Sequence, residues 1–186
     1  MTDQTPPQNA TNTVINDDDI ETNDASSGAI ENWDELDIDP SILRGIYAYG
    51  FEKPSPIQCK AVSPMLSERD IIAQAQSGTG KTGAFSIGSL SRIDTSVKQT
   101  QLIVLSPTRE LAEQIFNVMK ELSSYTDISF CKVVGGTRVS DCISDLRSDP
   151  HVIVGTPGRI IDMISKRHIF TDKLKMVVID EADEML

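Results

Sequence analysis

The sequence predicts an α/β domain with a mostly parallel sheet flanked by helices, and three observations predict it. Apolar runs at Ile71–Ala73, Gln101–Leu105, Ser129–Val134, His151–Val154 and Leu174–Ile179 alternate with stretches of helical periodicity, the order that repeated βα units produce. Gln101–Leu105 and Leu174–Ile179 have almost no polar alternation, as strands covered on both faces do. The first run feeds Ala75-Gln76-Ser77-Gly78-Thr79-Gly80-Lys81-Thr82, and a stretch that can be helical, Gly83–Arg92, comes next.

A strand, a glycine-bearing loop ending Gly-Lys-Thr and a helix form the setting of a phosphate-binding loop. Glycines let successive amides turn inward around phosphate oxygens, and the helix N-terminus adds partial positive charge. Lys81 would reach the β- and γ-phosphates, and the Thr82 hydroxyl would ligate Mg²⁺. Ala75 stands where the general pattern has glycine. Taken alone, the stretch also reads as a flexible turn.

At 186 residues the chain has room for one domain and a tail. The net charge of −11 lies ahead of Arg44, the first basic residue: of 28 acids eleven precede it, leaving 17 against 17 Lys plus Arg in residues 44–186. The remainder is formally neutral, which does not exclude nucleic acid, because helix N-termini bind phosphates without a basic total. Cys59, Cys131 and Cys142 lack metal or redox spacing and suggest reduced thiols in a cytoplasmic, alternatively nuclear, protein. The N-terminus lacks the basic start and apolar core of a secretory signal. No apolar run approaches the ~20 residues of a membrane span.

Residues 1–32 are polar and acidic, without apolar periodicity, and are expected to form a disordered tail; residues 33–186 are expected to form the domain. Asp39-Pro40 reads as cap and first residue of a short helix stopped by Gly50. In Gly50–Gln58 the prolines stiffen a connector, and a second helix starts near Pro56. That connector is also a possible adenine pocket: Phe51 offers a stacking face, and the Gln58 amide can donate and accept at once. Farther on, Thr108 caps a helix carrying Leu111, Ile115, Val118, Met119 and Leu122 at helical spacing, and Gly135-Gly136 closes the next strand. Thr156 is read as the cap of a helix begun by Pro157, with Ile160, Ile161 and Ile164 facing inward. His151, at a strand start, reads as structural or surface rather than catalytic.

The last apolar run enters Asp180-Glu181-Ala182-Asp183. Acids at the carboxyl end of a buried strand stand where α/β sheets place their chemistry, one for Mg²⁺ and a second to orient water. An acid-rich helix start is the plain alternative; the phosphate loop upstream and the βα alternation between favour function.

Assembled, residues 33–186 resemble the amino-terminal RecA-like domain of DEAD-box RNA helicases, closest to the translation initiation factor 4A branch. The motifs stand in the family's order: Gly50–Gln58, Ala75–Thr82, Pro107–Gln114, Gly135-Gly136, Thr156–Arg159 and Asp180–Asp183. Ala75 is ordinary in that family, and Trp33 stands where it usually has Phe. The resemblance implies ATP and Mg²⁺ as cofactors, with Phe51 stacking on adenine and Gln58 reading its edge. The loop Ala75, Gln76, Ser77, Gly78, Thr79, Gly80, Lys81 and Thr82 would hold phosphates and Mg²⁺, Asp180 would bind Mg²⁺ partly through water, and Glu181 would orient the attacking water. Asp183 would pair across a domain cleft. Pro107, Thr108, Arg109, Gly135, Gly136, Thr156, Gly158 and Arg159 would grip RNA backbone without reading sequence. Helicase-regulating proteins are the implied partners, and no membrane is. The resemblance also implies that the sequence ends before a Ser-Ala-Thr strand, which lies between the loop strand and the Asp180 strand, and before a second RecA-like domain with its arginines. The implied activity is RNA-stimulated ATP hydrolysis coupled to local duplex unwinding; a non-catalytic ATP- or RNA-binding module is the rival from another class.

Overall fold

The computed structural model describes residues 13–16 and 30–185. Four strands, β3 (Leu102–Leu105), β4 (Phe130–Val133), β5 (Val152–Gly155) and β6 (Met176–Ile179), form a wholly parallel sheet in the order β4-β5-β3-β6. Helices α4 (Arg109–Leu122), α5 (Val139–Leu146) and α6 (Pro157–Ser165) make the crossovers, as parallel pairing requires. Successive residues of β3 and β5 feed two different cores, while β6 turns Met176 and Val178 to the first core and leaves Val177 and Ile179 exposed. Leu102, Val104, Val152 and Val154 join Ile115, Met119 and Leu122 of α4, Ile87 and Leu90 of α3 (Lys81–Leu90), and Ile42 and Ile46 of α1 (Pro40–Ala48). Ile103, Ile153, Cys131 and Val133 face Cys142 and Leu146 of α5 and Ile160 and Met163 of α6. Coverage on both faces is why β3 and β5 read as unbroken apolar runs.

The helix boundaries reflect local chemistry. Asp39 accepts from Ser41 N at 2.7 Å and Pro40 begins α1; Gly50, at φ +97°, lets the chain leave it. α2 (Pro56–Leu66) packs against α3. At Gly45, a Cβ would lie 1.8 Å from the carbonyl oxygen of Leu122, the last residue of α4. Helix propensity favours Gly→Ala by about 1 kcal/mol, but a clash with backbone costs about 1–3 kcal/mol or more because neither helix can yield locally. Gly45→Ala is therefore expected to destabilise, lowering the thermal midpoint by ~2–4 °C for each kcal/mol lost. An unchanged or raised midpoint would show that α1 slides freely over α4.

The strand that leads into the phosphate loop, β2 (Ile71–Ala73), does not join the four-stranded sheet. It pairs in parallel with β1 (Thr13–Ile15), in register Thr13/Ile71, Val14/Ile72 and Ile15/Ala73. Among the described residues β6 makes its ladder with β3 only, and Val177 and Ile179 are 53% and 46% exposed. Among those same residues no ladder joins the loop strand and the Asp180 strand.

Two expectations drawn from the sequence need correction. Thr13–Ile15, placed in a disordered tail, is paired, and Ile15 is buried; residues 1–12 and 17–29 of that tail lie outside the described residues. Ile161 faces outward at 61% exposure, while Ile160 and Met163 are buried and Ile164 packs against the same core, as expected. His151 is structural, as read: it is buried and its Nδ1 accepts from Ser129 N at 3.0 Å. Burial pushes its pKa down.

Candidate nucleotide and nucleic-acid site

The loop Gln74–Gly80 leaves the carboxyl end of β2 and enters α3 at Lys81. Gly78 (φ +82°) and Gly80 (φ +103°) occupy the left-handed region, which turns the loop amides to one side. The Lys81 ammonium donates to the carbonyls of Ala75 and Gln76, and the Thr79 hydroxyl donates to Gln76 O at 2.8 Å. The cation thus lies across the loop that carries it. Thr82 is on the first turn of α3, behind Lys81.

Gln58, on the first turn of α2, is buried and ties two motifs together. Its Oε1 accepts from Ser55 N at 2.8 Å and its Nε2 donates to Gly80 O at 3.2 Å. A Cβ on Gly80 would lie 2.8 Å from Ser55 Oγ, and one on Gly83 would lie 2.5 Å from Gln58 Nε2 and 3.0 Å from Phe51 Cε2. Only glycine lets the loop helix come so close. Phe51 meets Tyr49 edge-on at 4.8 Å and stacks with buried Trp33 at 6.4 Å. The amide expected to read a base edge is therefore also a clamp on the loop, a role that sequence spacing does not reveal.

Asp180 comes directly after β6, and its N–H donates to Leu105 O at 3.0 Å, extending the ladder by one residue. Burial first, then the adjacent Glu181 carboxylate, push its pKa up; the Lys81 ammonium acts in the opposite direction. Strands from separate sheets thus bring the acid and the loop lysine within one electrostatic neighbourhood. Glu181 takes a left-handed conformation, φ +49° and ψ 53°, before the 3₁₀ turn Ala182–Glu184. For a residue with a side chain this costs about 1–3 kcal/mol, and such strain gathers at functional sites. Beyond Glu181 the described chain enters a 3₁₀ turn that carries Asp183 and Glu184. Asp183 is exposed on that turn.

Three more motifs meet at the carboxyl ends of β3, β4 and β5. Pro107 and Thr108 come after β3, and the Thr108 hydroxyl caps α4 by accepting from Leu111 N at 3.2 Å. Arg109 lies over Gly136 (φ +76°), where a Cβ would stand 2.1 Å from the guanidinium Nη1. Arg159 Nη2 donates to Thr137 O at 3.2 Å. Gly135 N donates to Thr156 Oγ1 at 3.2 Å. That bond corrects the reading of Thr156 as a side-chain cap: it holds the N-cap position of α6 but makes no cap bond, its hydroxyl oxygen serving Gly135 instead. Gly158 has open space around it.

The DEAD/DEAH box helicase family model matches residues 55–186. The chain belongs to that family. The DEAD/DEAH box relatives include the Schizosaccharomyces pombe ATP-dependent RNA helicase eIF4A, 53% identical over 167 residues, covering 90% of this chain and 42% of that one. The Mycosarcoma maydis protein of the same name is 50% identical over 175 residues, covering 94% and 42%. The chain therefore spans about two fifths of the length of these relatives. Among solved structures, a DEAD box protein from Methanococcus jannaschii matches with a TM-score of 0.80 at 35% identity, over 84% of this chain and 43% of that one. Saccharomyces cerevisiae Dbp5 bound to RNA and ADP BeF3 matches with a TM-score of 0.76 at 40% identity, over 84% and 40%. The fold expected from the sequence, RecA-like with parallel strands flanked by helices, is thus the fold of the family, and the identity to eIF4A agrees with the branch expected.

Sequence reasoning missed Ser55, which joins Gln58 against Gly80, and Thr137, which holds Arg159. Ser55 could have been found as the N-cap three residues before a Gln; Thr137 has no local signal. Placing Ala at Gly136 is expected to displace Arg109, whose flexible end can move, and to weaken binding of single-stranded RNA while leaving the melting midpoint within about 2–4 °C. Equal RNA affinity in Gly136→Ala would separate Arg109 from the RNA path.

Proposed function

We propose that this chain is the ATP-binding, amino-terminal part of an ATP-dependent RNA helicase in which RNA-stimulated ATP hydrolysis is coupled to local duplex unwinding. The observation that carries the proposal is the loop itself: Gly78 and Gly80 hold left-handed backbone, Lys81 opens α3, and the Gln58 amide ties Gly80 to the adenine side. The loop amides and Lys81 bind the β- and γ-phosphates, and the Phe51 side of the site receives the adenine. Thr82 and Asp180 fit a hard divalent cation: one offers a hydroxyl, the other a half-buried carboxylate whose charge burial and Glu181 disfavour. Among the described residues no three His, Cys, Asp or Glu side chains gather, so such a cation would lean on water and phosphate oxygens, the habit of Mg²⁺. Bound there, Mg²⁺ supplies charge neutralisation at the phosphates. Glu181 orients the water that attacks the γ-phosphate.

The α4 N-terminus with Arg109, the Gly135–Thr137 turn and the α6 N-terminus with Arg159 form an edge suited to phosphates, so RNA is held by backbone and released by salt. We place the whole protein in translation initiation or another RNA-processing step, cytoplasmic or else nuclear, with regulatory protein partners. The similarity to eIF4A proteins supports the first; the solved Dbp5 complex with Gle1, at 38% identity and a TM-score of 0.76, supports regulation by partners. For the 186-residue chain acting alone, the second reading is an ATP- or RNA-binding module without helicase activity.

The deciding experiment measures ATP hydrolysis by the whole protein with and without single-stranded RNA at two salt concentrations. RNA stimulation that fades with salt is the expected result. Hydrolysis indifferent to RNA and stimulated by DNA would replace the helicase reading with that of a DNA translocase.

A further inference from the structure

The segment before Trp33 is polar and acidic except for a few apolar residues, yet Ile15 is 4% exposed. It is held at both ends of β1: Thr13 N donates to Asp70 O at 2.9 Å, and Gln74 N donates to Ile15 O at 2.8 Å. Gln74 is the residue immediately before the loop Ala75–Thr82, so the last bond of this ladder fixes the point where the loop departs. The Ile15 side chain shares a cluster with Ala75 of the loop, Ala84 of the loop helix, and Ile57 and Ala61 of the helix that carries Gln58. Three parts of the nucleotide site therefore share one apolar cluster with Ile15. Ala75 and Ala84 are small side chains, and the bulk of the cluster comes from Ile15 and Ile57, with Ile71 packed against it. Among the described residues β2 has no other ladder, so within the 186-residue chain β1 supplies the backbone pairing of the strand that leads into the loop.

We propose that Thr13–Ile15 is a positioning element of the phosphate loop, and that Ile15 is the residue that seats it. The consequence for binding rests on the ATP-site reading above. Loop amides bind phosphate well only when their directions are fixed beforehand, because ordering them on binding subtracts from affinity. The arm does that ordering in advance, from a part of the sequence far from any helicase motif.

The test uses the 186-residue chain. Amide hydrogen exchange is expected to show Gln74 protected, and Ile15→Asp, which places a charge in an apolar cluster, is expected to bring Gln74 close to its free-peptide rate. Val104 and Val154, in the other sheet, keep their protection; a merely global loss of stability would expose all three. Affinity for a fluorescent ATP analogue is expected to fall by about tenfold in Ile15→Asp. Ile15→Val and Val14→Asp, the latter at a site 54% exposed, are expected to stay within about twofold of the unmodified chain. Gln74 exchange unaltered by Ile15→Asp overturns the proposal, and so does full analogue affinity with Gln74 exposed. The two readings fail separately: Lys81→Ala binding the analogue as tightly as the unmodified chain overturns the ATP site, while Gln74 exchange still judges the arm.

Discussion

Glu181→Gln in the whole protein is expected to bind ATP and RNA and to lose hydrolysis by about 10²- to 10⁴-fold, the range that a positioned acid–base group contributes. The amide keeps the length and shape of the side chain, and it does not alter the left-handed backbone at φ +49° that aims it. What it removes is the negative charge that polarises the attacking water. The same substitution removes the carboxylate that helps push the Asp180 pKa up, so Asp180 ionises more readily and cation binding is not impaired. Equilibrium binding of an ATP analogue beside single-turnover hydrolysis checks both halves. Normal hydrolysis with failed binding would reverse the roles given to the two acids.

Lys81→Ala is expected to abolish hydrolysis and to weaken ATP binding tenfold or more, since a charge-assisted bond to phosphate contributes about 1.5–3 kcal/mol. Two effects add. The substitution deletes the cation aimed at the β- and γ-phosphates, and it releases the Ala75 and Gln76 carbonyls that the ammonium now ties together. It also withdraws the positive charge that counters the rise in the Asp180 pKa. Lys81→Arg separates these contributions: the charge remains, but the planar guanidinium does not fit between two carbonyls of a tight loop. Binding partly retained in Lys81→Arg and lost in Lys81→Ala is the expected pattern. Wild-type turnover in Lys81→Ala would remove the phosphate-loop assignment.

What could be read from the sequence was local or periodic. Apolar strands, caps such as Asp39 and Thr108, and the glycines that accept φ near +80° to +100° at Gly78 and Gly80 are decided within a few residues, so spacing and residue type suffice. The Asp180–Glu181 pair was legible for the same reason: it stands directly after an apolar run. Choices between competing partners were not legible. Thr156 stands where a cap belongs, but a donor from another strand, Gly135 N, takes its oxygen. Ile161 fits an apolar helix pattern, yet α6 turns Ile160 and Met163 to the sheet instead.

By itself, then, the sequence determined the order of strands and helices, the phosphate loop, the acids after β6 and the family to which these motifs point. Only the tertiary structure decided that Gln58 clamps Gly80, that Arg109 lies over Gly136 and that Thr13–Ile15 pairs with β2. The physical reason is separation along the chain. Three residues in a polar segment carry too little pattern to announce a strand, and their partner lies more than fifty residues away, so the gain from burying Ile15 exists only once Ala75, Ala84 and Ile57 have been brought together.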